Sequence, residues 1–284
     1  MKYQIITDSC CDFTDQQYHD LGVTYAPLTV LFQGQARDNM NDPEELHRFY
    51  DGIRGGEMPT TSAVNPEGWV NIMKPILDAG EDVLCLAFSS GLSTTYQSAV
   101  IAAKEMEEVY PDRTIRVVDT LCAALGQGLL VYLACRKRDE GMGLEDLAAW
   151  VEDNKLSIAH WVTVDDLNHL KRGGRISATT AFFGGMLNIK PIIHVDNDGH
   201  LVNVAKSRGR KASMDYLLNK VKEDCTDFEN VFVAHGDCPE DAAILEKALK
   251  ELGVKNVVTG YVGGVIGAHT GPGVLVIFFV GKQR

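Results

Sequence analysis

The sequence predicts an α/β fold of two domains. The first is a mainly parallel, Rossmann-like sheet with helices, and the second is an α/β domain with a mixed sheet and a β-hairpin. Three observations carry this. Short apolar, β-branched runs alternate with helical material through the first half, a new series of strand-like runs starts at residue 158, and Asp196, Asn197, Asp198 and Gly199 separate two such runs as a hairpin turn does. The boundary is set at 156, giving domains 1–156 and 157–284. No repeat or low-complexity linker intervenes, so the domains are expected to pack closely.

In order, residues 3–7 form a first strand ending at Asp8 and Ser9, and 82–88 form a second. After a turn rich in hydroxyls, 96–109 has helical spacing, with Tyr96, Val100, Ala103 and Met106 on one face. Residues 113–120 form a third strand and 144–154 a helix; 158–164, 190–195, 201–205, 230–235 and 255–260 are further strands, the last two flanking a helix over about 240–252. The apolar run 274–280 is a buried strand. Thr7, Asp8, Ser89, Ser90, Asp119 and Thr120 thus fall at carboxyl ends of strands, the edge where open α/β sheets bind ligands.

Three loops carry the candidate chemistry: 58–66, 88–98 and 260–273. The last sets His269 among the glycines 260, 263, 264, 267, 271 and 273, which permit φ > 0 and close approach to a ligand. His269 alone reads either as a rim group or as a core histidine held by a carbonyl. In the second loop Ser93 or Thr94 is the expected N-cap of the helix, and the free amides of its first turn suit an anion. Capping needs one hydroxyl, whereas residues 89–95 contain Ser89, Ser90, Ser93, Thr94 and Thr95. The loops are therefore read as built to hold an anion and to face each other across a cleft.

Other classes are disfavoured. A formal net charge of −12 argues against nucleic acid or an anionic membrane surface as the main partner. The longest apolar run, 274–280, is far short of the roughly 20 residues of a membrane span, and no apolar leader follows Met1, so the expected location is cytoplasmic. The seven cysteines have no metal-binding spacing and are read as small buried or turn residues. Gly91 and Ser93 begin a nucleophile-elbow pattern, but Thr95 stands where its second glycine belongs. Gly126 and Gly128 lack the third glycine of a dinucleotide loop, and no P-loop or zinc-protease motif occurs.

The ordered set of Thr7-Asp-Ser9, Pro59-Thr-Thr-Ser62, 88–96, 117–120, 170–177, 187–192 and 266–273 resembles the DegV family of bacterial fatty-acid-binding proteins from the first strand to the last. The resemblance implies a long-chain fatty acid such as palmitate, with no other cofactor, buried between the domains. It implies that Thr61 and Ser93 donate to its carboxylate, that His269 assists, and that Ser62, Thr94, Arg172 and Thr270 lie near the head group. Arg172 could instead pin the Gly173-Gly174 turn. The resemblance also implies a non-enzymatic carrier in phospholipid synthesis, whose partner is the ATP-binding subunit of a fatty-acid kinase. Lys206, Arg208 and Arg210 would dock that partner, Arg208 foremost; the alternative is a solvated hairpin end. Tunnel depth would depend on Phe182, Phe183, Met186, Leu187 and Ile192. Two rivals stand beside this reading: an acyl hydrolase or transferase using Ser90 or Ser93 with His269 as base, and a small-metabolite kinase subunit related to dihydroxyacetone kinases.

Overall fold

A computed structural model describes residues 2–38, 40–177, 188–282 and 284. Phe182, Phe183, Met186 and Leu187 lie outside the described residues. The chain begins β1 (Tyr3–Asp8), α1 (Asp15–Leu21), β2 (Thr24–Ala26), β3 (Thr29–Phe32), β4 (Gln35–Asp38), α2 (Pro43–Arg54) and β5 (Thr60–Ser62). It continues α3 (Pro66–Asp78), β6 (Asp82–Ala87), α4 (Thr95–Val109), β7 (Ile115–Asp119), α5 (Ala124–Asp139), α6 (Leu144–Asn154), β8 (Ile158–Thr163) and α7 (Asn168–Arg172). The remainder is β9 (Ile189–Val195), β10 (Leu201–Arg208), α8 (Arg210–Asp224), β11 (Asn230–His235), α9 (Pro239–Glu251), β12 (Asn256–Tyr261), α10 (Gly264–Thr270) and β13 (Leu275–Val280).

Two sheets organise these elements. A four-stranded parallel sheet runs β2-β1-β6-β7, and a six-stranded mixed sheet runs β10-β9-β8-β13-β11-β12. Every residue of β6 is buried, as a strand covered by helices on both faces requires. In the mixed sheet β11 and β12 are parallel, whereas β13 runs antiparallel to β8 and β11. The expected hairpin is β9–β10, with Asp196 accepting amide hydrogens from Asp198 and His200 to shape the turn. Among the described residues no helix is long and apolar enough to cross a membrane.

Some expectations on local structure are corrected. The 58–66 segment is not all loop: β5 joins β3 and β4 in a small sheet of order β4-β3-β5 that the sequence reading did not anticipate. The glycine-rich 260–273 segment contains α10, because Gly263, Gly264 and Gly267 all keep negative φ. Their smallness serves packing: a β-carbon on Gly267 would stand 2.5 Å from the Tyr50 hydroxyl, which itself donates to the Val262 carbonyl. Only Gly271 and Gly273 use positive φ there, and they end the helix. The 206–211 cluster straddles the open end of the β9–β10 hairpin, with exposed Lys206 and Arg208 on the last residues of β10, Arg208 paired with Ile189, and Arg210 opening α8.

The interior is continuous across the sheets. One apolar cluster joins Ile5 and Leu84 of the parallel sheet to Phe232, Val276 and Phe278 of the mixed sheet through Leu125, Leu129 and Leu130 of α5. Gly126 and Gly128 allow this. A β-carbon at 126 would stand 2.3 Å from His160 Nε2, and one at 128 would stand 2.8 Å from the Phe13 ring. The glycine pair of the dismissed dinucleotide pattern is thus a packing device inside a helix, at positions where glycine costs helix stability by about 1 kcal/mol each.

Candidate ligand-binding site

A cavity of about 450 Å³ lies between the two sheets. Its apolar wall is drawn from both, with Leu28 and Phe88 from one side and Val162, Val195, Leu201 and Val276 from the other. Its polar groups are Thr61, Ser90, Ser93, Thr94, His160, Arg175, His269 and Thr270.

Each polar side chain reaches the cavity for a local reason. Successive β5 side chains alternate in direction, so Thr61 lines the cavity while Thr60 and Ser62 are exposed. Ser62 is therefore not brought to the site. Thr94 occupies the N-cap position of α4 without a side-chain cap bond; instead Ser93 Oγ accepts from the Thr95 amide at 3.3 Å and pairs with Thr95 Oγ1 at 2.9 Å. His269 stands in the last turn of α10, where its Nε2 meets Thr61 Oγ1 at 2.8 Å. Thr270, next to it, also lines the wall, but its hydroxyl donates to the Ile266 carbonyl at 3.1 Å.

Of the two arginines beside the Gly173-Gly174 turn, the cavity takes Arg175. Gly174 adopts φ 71°, which turns the chain back after α7, and Arg175 donates from Nε to the Leu92 carbonyl at 3.1 Å and from Nη1 to the Gly173 carbonyl. Arg172 points elsewhere, with Nη2 on His169 Nδ1 at 2.8 Å, and does not line the cavity.

The electrostatics follow from burial. Desolvation, then the Arg175 charge, holds His269 down to about 4, so the ring is neutral near pH 7. Its Nδ1 is buried with no hydrogen-bond partner among the described residues. His160 is held well below its usual range mainly by burial; Nδ1 contacts the Ile158 carbonyl at 2.9 Å and Nε2 accepts from the Ala123 amide at 3.2 Å. Both its nitrogens serve the fold, and the cavity receives only the ring. The strand-end groups behave similarly. The Asp8 carboxylate accepts from the Phe88 amide at 2.7 Å and the Cys10 amide at 3.0 Å, and Asp119 accepts from Ser90 and Leu121. They brace the turns that present Ser90 and Ser93.

The basic cluster divides as well. Lys206 and Arg208 are exposed, but Arg210 is held by Asp241 at 2.8 Å and by the Gly273 carbonyl at 2.8 Å. Arg210 thus locks α8 to the segment behind α10. All seven cysteines are free thiols, five of them buried.

Fold and site together define a two-sheet α/β ligand-binding protein whose cavity is largely apolar, with hydroxyls, a neutral imidazole and one guanidinium among its walls. The chain matches the family profile described as an uncharacterised protein, DegV family, over residues 2–282. It belongs to the DegV family. It is 42% identical to a DegV domain-containing protein of Clostridium perfringens over 287 residues, covering 100% of this chain and 99% of the other. Among solved structures it is similar to a Thermus thermophilus DegV family protein described by its fatty-acid binding, with a TM-score of 0.87, 31% identity and coverage of 98% and 99%. It is also similar to DegV of Bacillus subtilis, a fatty acid binding protein, with a TM-score of 0.83, 29% identity and coverage of 98% of each chain.

Proposed function

We propose that the chain binds a long-chain fatty acid in the inter-sheet cavity and presents its carboxylate to a separate ATP-dependent fatty-acid kinase. The observation that carries this reading is the Thr61–His269 pair, 2.8 Å apart, set with Ser93 and Arg175 on an otherwise apolar wall. A neutral His269 that donates from Nε2 leaves the Thr61 hydroxyl proton for a ligand oxygen, and leaves Nδ1 as an unpaired acceptor, the less costly orphan. Ser93 accepts the Thr95 amide, and with the Thr95 hydroxyl donating to it as well, its own proton is left for a ligand oxygen. The ring adds no charge, and among the described residues lining the cavity Arg175 supplies the positive group for a carboxylate.

The division of labour follows from magnitudes. Burying about 15 carbons of a palmitate-like tail at about 0.8 kcal/mol each yields about 12 kcal/mol gross, before ordering costs. Hydrogen bonds to a charged carboxylate add about 1.5–3 kcal/mol each. The tail supplies affinity and the polar cluster supplies orientation. A carboxylate so fixed lets a kinase transfer a phosphoryl group onto it, with this chain contributing position alone. Exposed Lys206 and Arg208, in a chain of net charge −12, form the surface assigned to kinase docking.

The reading is tested in two steps. Mass spectrometry of protein purified without added lipid should find about one long-chain fatty acid per chain, and addition of a DegV-partner kinase with ATP should form the acyl phosphate. A protein free of lipid that also fails to take up palmitate would refute the binding step. Bound lipid with no phosphorylation by any such kinase would refute the second step alone.

A further inference from the structure

The end of the inter-sheet cavity farthest from His269 is built around the ring of His160. Along the chain into β13 the lining residues Val274, Val276 and Phe278 step away from the His269 segment, and at about 3.3 Å per residue the last stands about 13 Å beyond the first. Phe278 pairs with His160 across the sheet, and the two rings meet edge-on with centroids 5.2 Å apart. Val195 and Leu201, paired between β9 and β10, line this end together with Ala123 and Ala124. Ile192, expected to limit the tunnel, packs instead in a separate apolar cluster with Leu217 of α8 and Leu245 of α9.

The ring is held from behind. Its Nε2 accepts the Ala123 amide, and its Nδ1 donates to the Ile158 carbonyl at 2.9 Å, which also receives Arg284 Nε at 3.3 Å. The same guanidinium donates from Nη1 to the carbonyls of Leu121 at 2.6 Å and Asp196 at 3.2 Å. Its Nη2 donates to the Lys155 carbonyl at 2.9 Å and to Cys122 Sγ at 3.0 Å. The planar fork of arginine suits such a ring of acceptors. One side chain thus ties the turn after β7 to the start of β8 and to the β9–β10 turn. The turn after β7 needs the tie: Leu121 and Ala124 both sit at φ 53°, a left-handed conformation that non-glycine residues keep only where their surroundings enforce it.

We propose that Arg284 is a positioning residue: by holding the 121–124 turn and the Ile158 carbonyl it fixes the His160 ring, and the wall so fixed sets the longest acyl chain that the cavity accepts. This rests on the fatty-acid reading. The probes are saturated acids from laurate to arachidate, competed against a fluorescent fatty acid on protein freed of bound lipid. The parent should bind more tightly with each added pair of carbons up to a limit, and lose about tenfold or more at the next pair, which overpacks the wall. Arg284→Met, which keeps the stem and removes the donors, should move that limit up by at least one pair of carbons and leave the affinity for laurate unchanged. Arg284→Lys, which keeps the charge without the fork, should move it in the same direction and decides the matter if Arg284→Met does not fold. The imidazole resonances of His160 in the parent should shift with the longest acid accepted and stay in place with laurate. A parent profile without a limit, a limit unmoved in the variants, an equal loss of affinity for every acid, or equal shifts of His160 with all acids would each overturn the proposal. A parent that binds no acid of any length would refute the fatty-acid reading itself, and the length limit with it.

Discussion

The ring of His269 lies so close over Gly173 that a β-carbon there would stand 2.2 Å from Nδ1. The α7 turn thereby sets the height of the imidazole above Thr61. Gly173→Ala should push the ring off Thr61 and lower the fatty acid retained after purification, at a stability cost of about 1–3 kcal/mol for overpacking. Lipid content by mass spectrometry and a denaturant titration measure the two effects on one sample. Undiminished lipid with the ring displaced would separate His269 from head-group binding.

The two arginines give a paired test. Arg175→Met should weaken retention of palmitate about tenfold or more, because it removes the charge beside the cavity. Arg172→Met should leave retention unchanged, its contact being His169. Equilibrium binding of a fluorescent fatty acid, compared across both variants, reads the difference; the reverse ranking would place the head group on the other side of the turn.

Ser93→Ala should affect ligand more than fold. Its bond to the Thr95 amide is worth about 1 kcal/mol, whereas a hydrogen bond to a carboxylate is worth about 1.5–3 kcal/mol. A variant that melts lower yet holds lipid as tightly as the parent would return Ser93 to the helix start alone.

Charge reversal at Arg208 should leave lipid content intact and abolish acyl-phosphate formation, since rim charges govern association with a partner. Both quantities are measured on the same Arg208→Glu preparation. Normal phosphorylation would remove Arg208 from the docking surface.

His269 also predicts a pH dependence. Its folded value of about 4 lies below 6.5, so between them the unfolded chain binds a proton that the folded chain resists. Stability from this group is present above 6.5 and is lost as pH falls toward 4. At about 1.4 kcal/mol per pH step, the full loss is up to about 3 kcal/mol. Asp8 acts oppositely: burial raises it from 3.8 to about 6, so lowering the pH through that window favours the folded state. Urea titrations of the parent and His269→Gln across this range should diverge as pH falls, with the parent losing stability relative to the variant.

The sheets and helices were legible because their signals are local. The run at 82–88 and the 3.6 period after Thr95 need no distant partner to be read, and the hairpin carries its own turn chemistry. Thr61, Ser93 and His269 were legible as polar residues set beside strands. That Thr61 and not Ser62 faces inward was available from strand alternation, but only once 60–62 is known to pair with β3, a contact across some thirty residues. The glycines around His269 read as a loop because their real cause, the approach of Tyr50 and Met40, lies more than two hundred residues away in sequence. Arg172 and Arg175 differ only by the sense of one turn, which composition does not encode.

Because α5 packs through Gly126 on His160 and Phe278 of the mixed sheet and through Gly128 on Cys11 and Phe13 in the turn after β1, opening the two halves like a clamshell would tear out a shared spine. On the proposed fatty-acid reading, exchange is expected through local breathing of the short pieces at the rim, α7 and α10, while the body stays shut. The kinetics of loading would be governed by those few turns, and amide exchange should show them fast and α5 as slow as global unfolding.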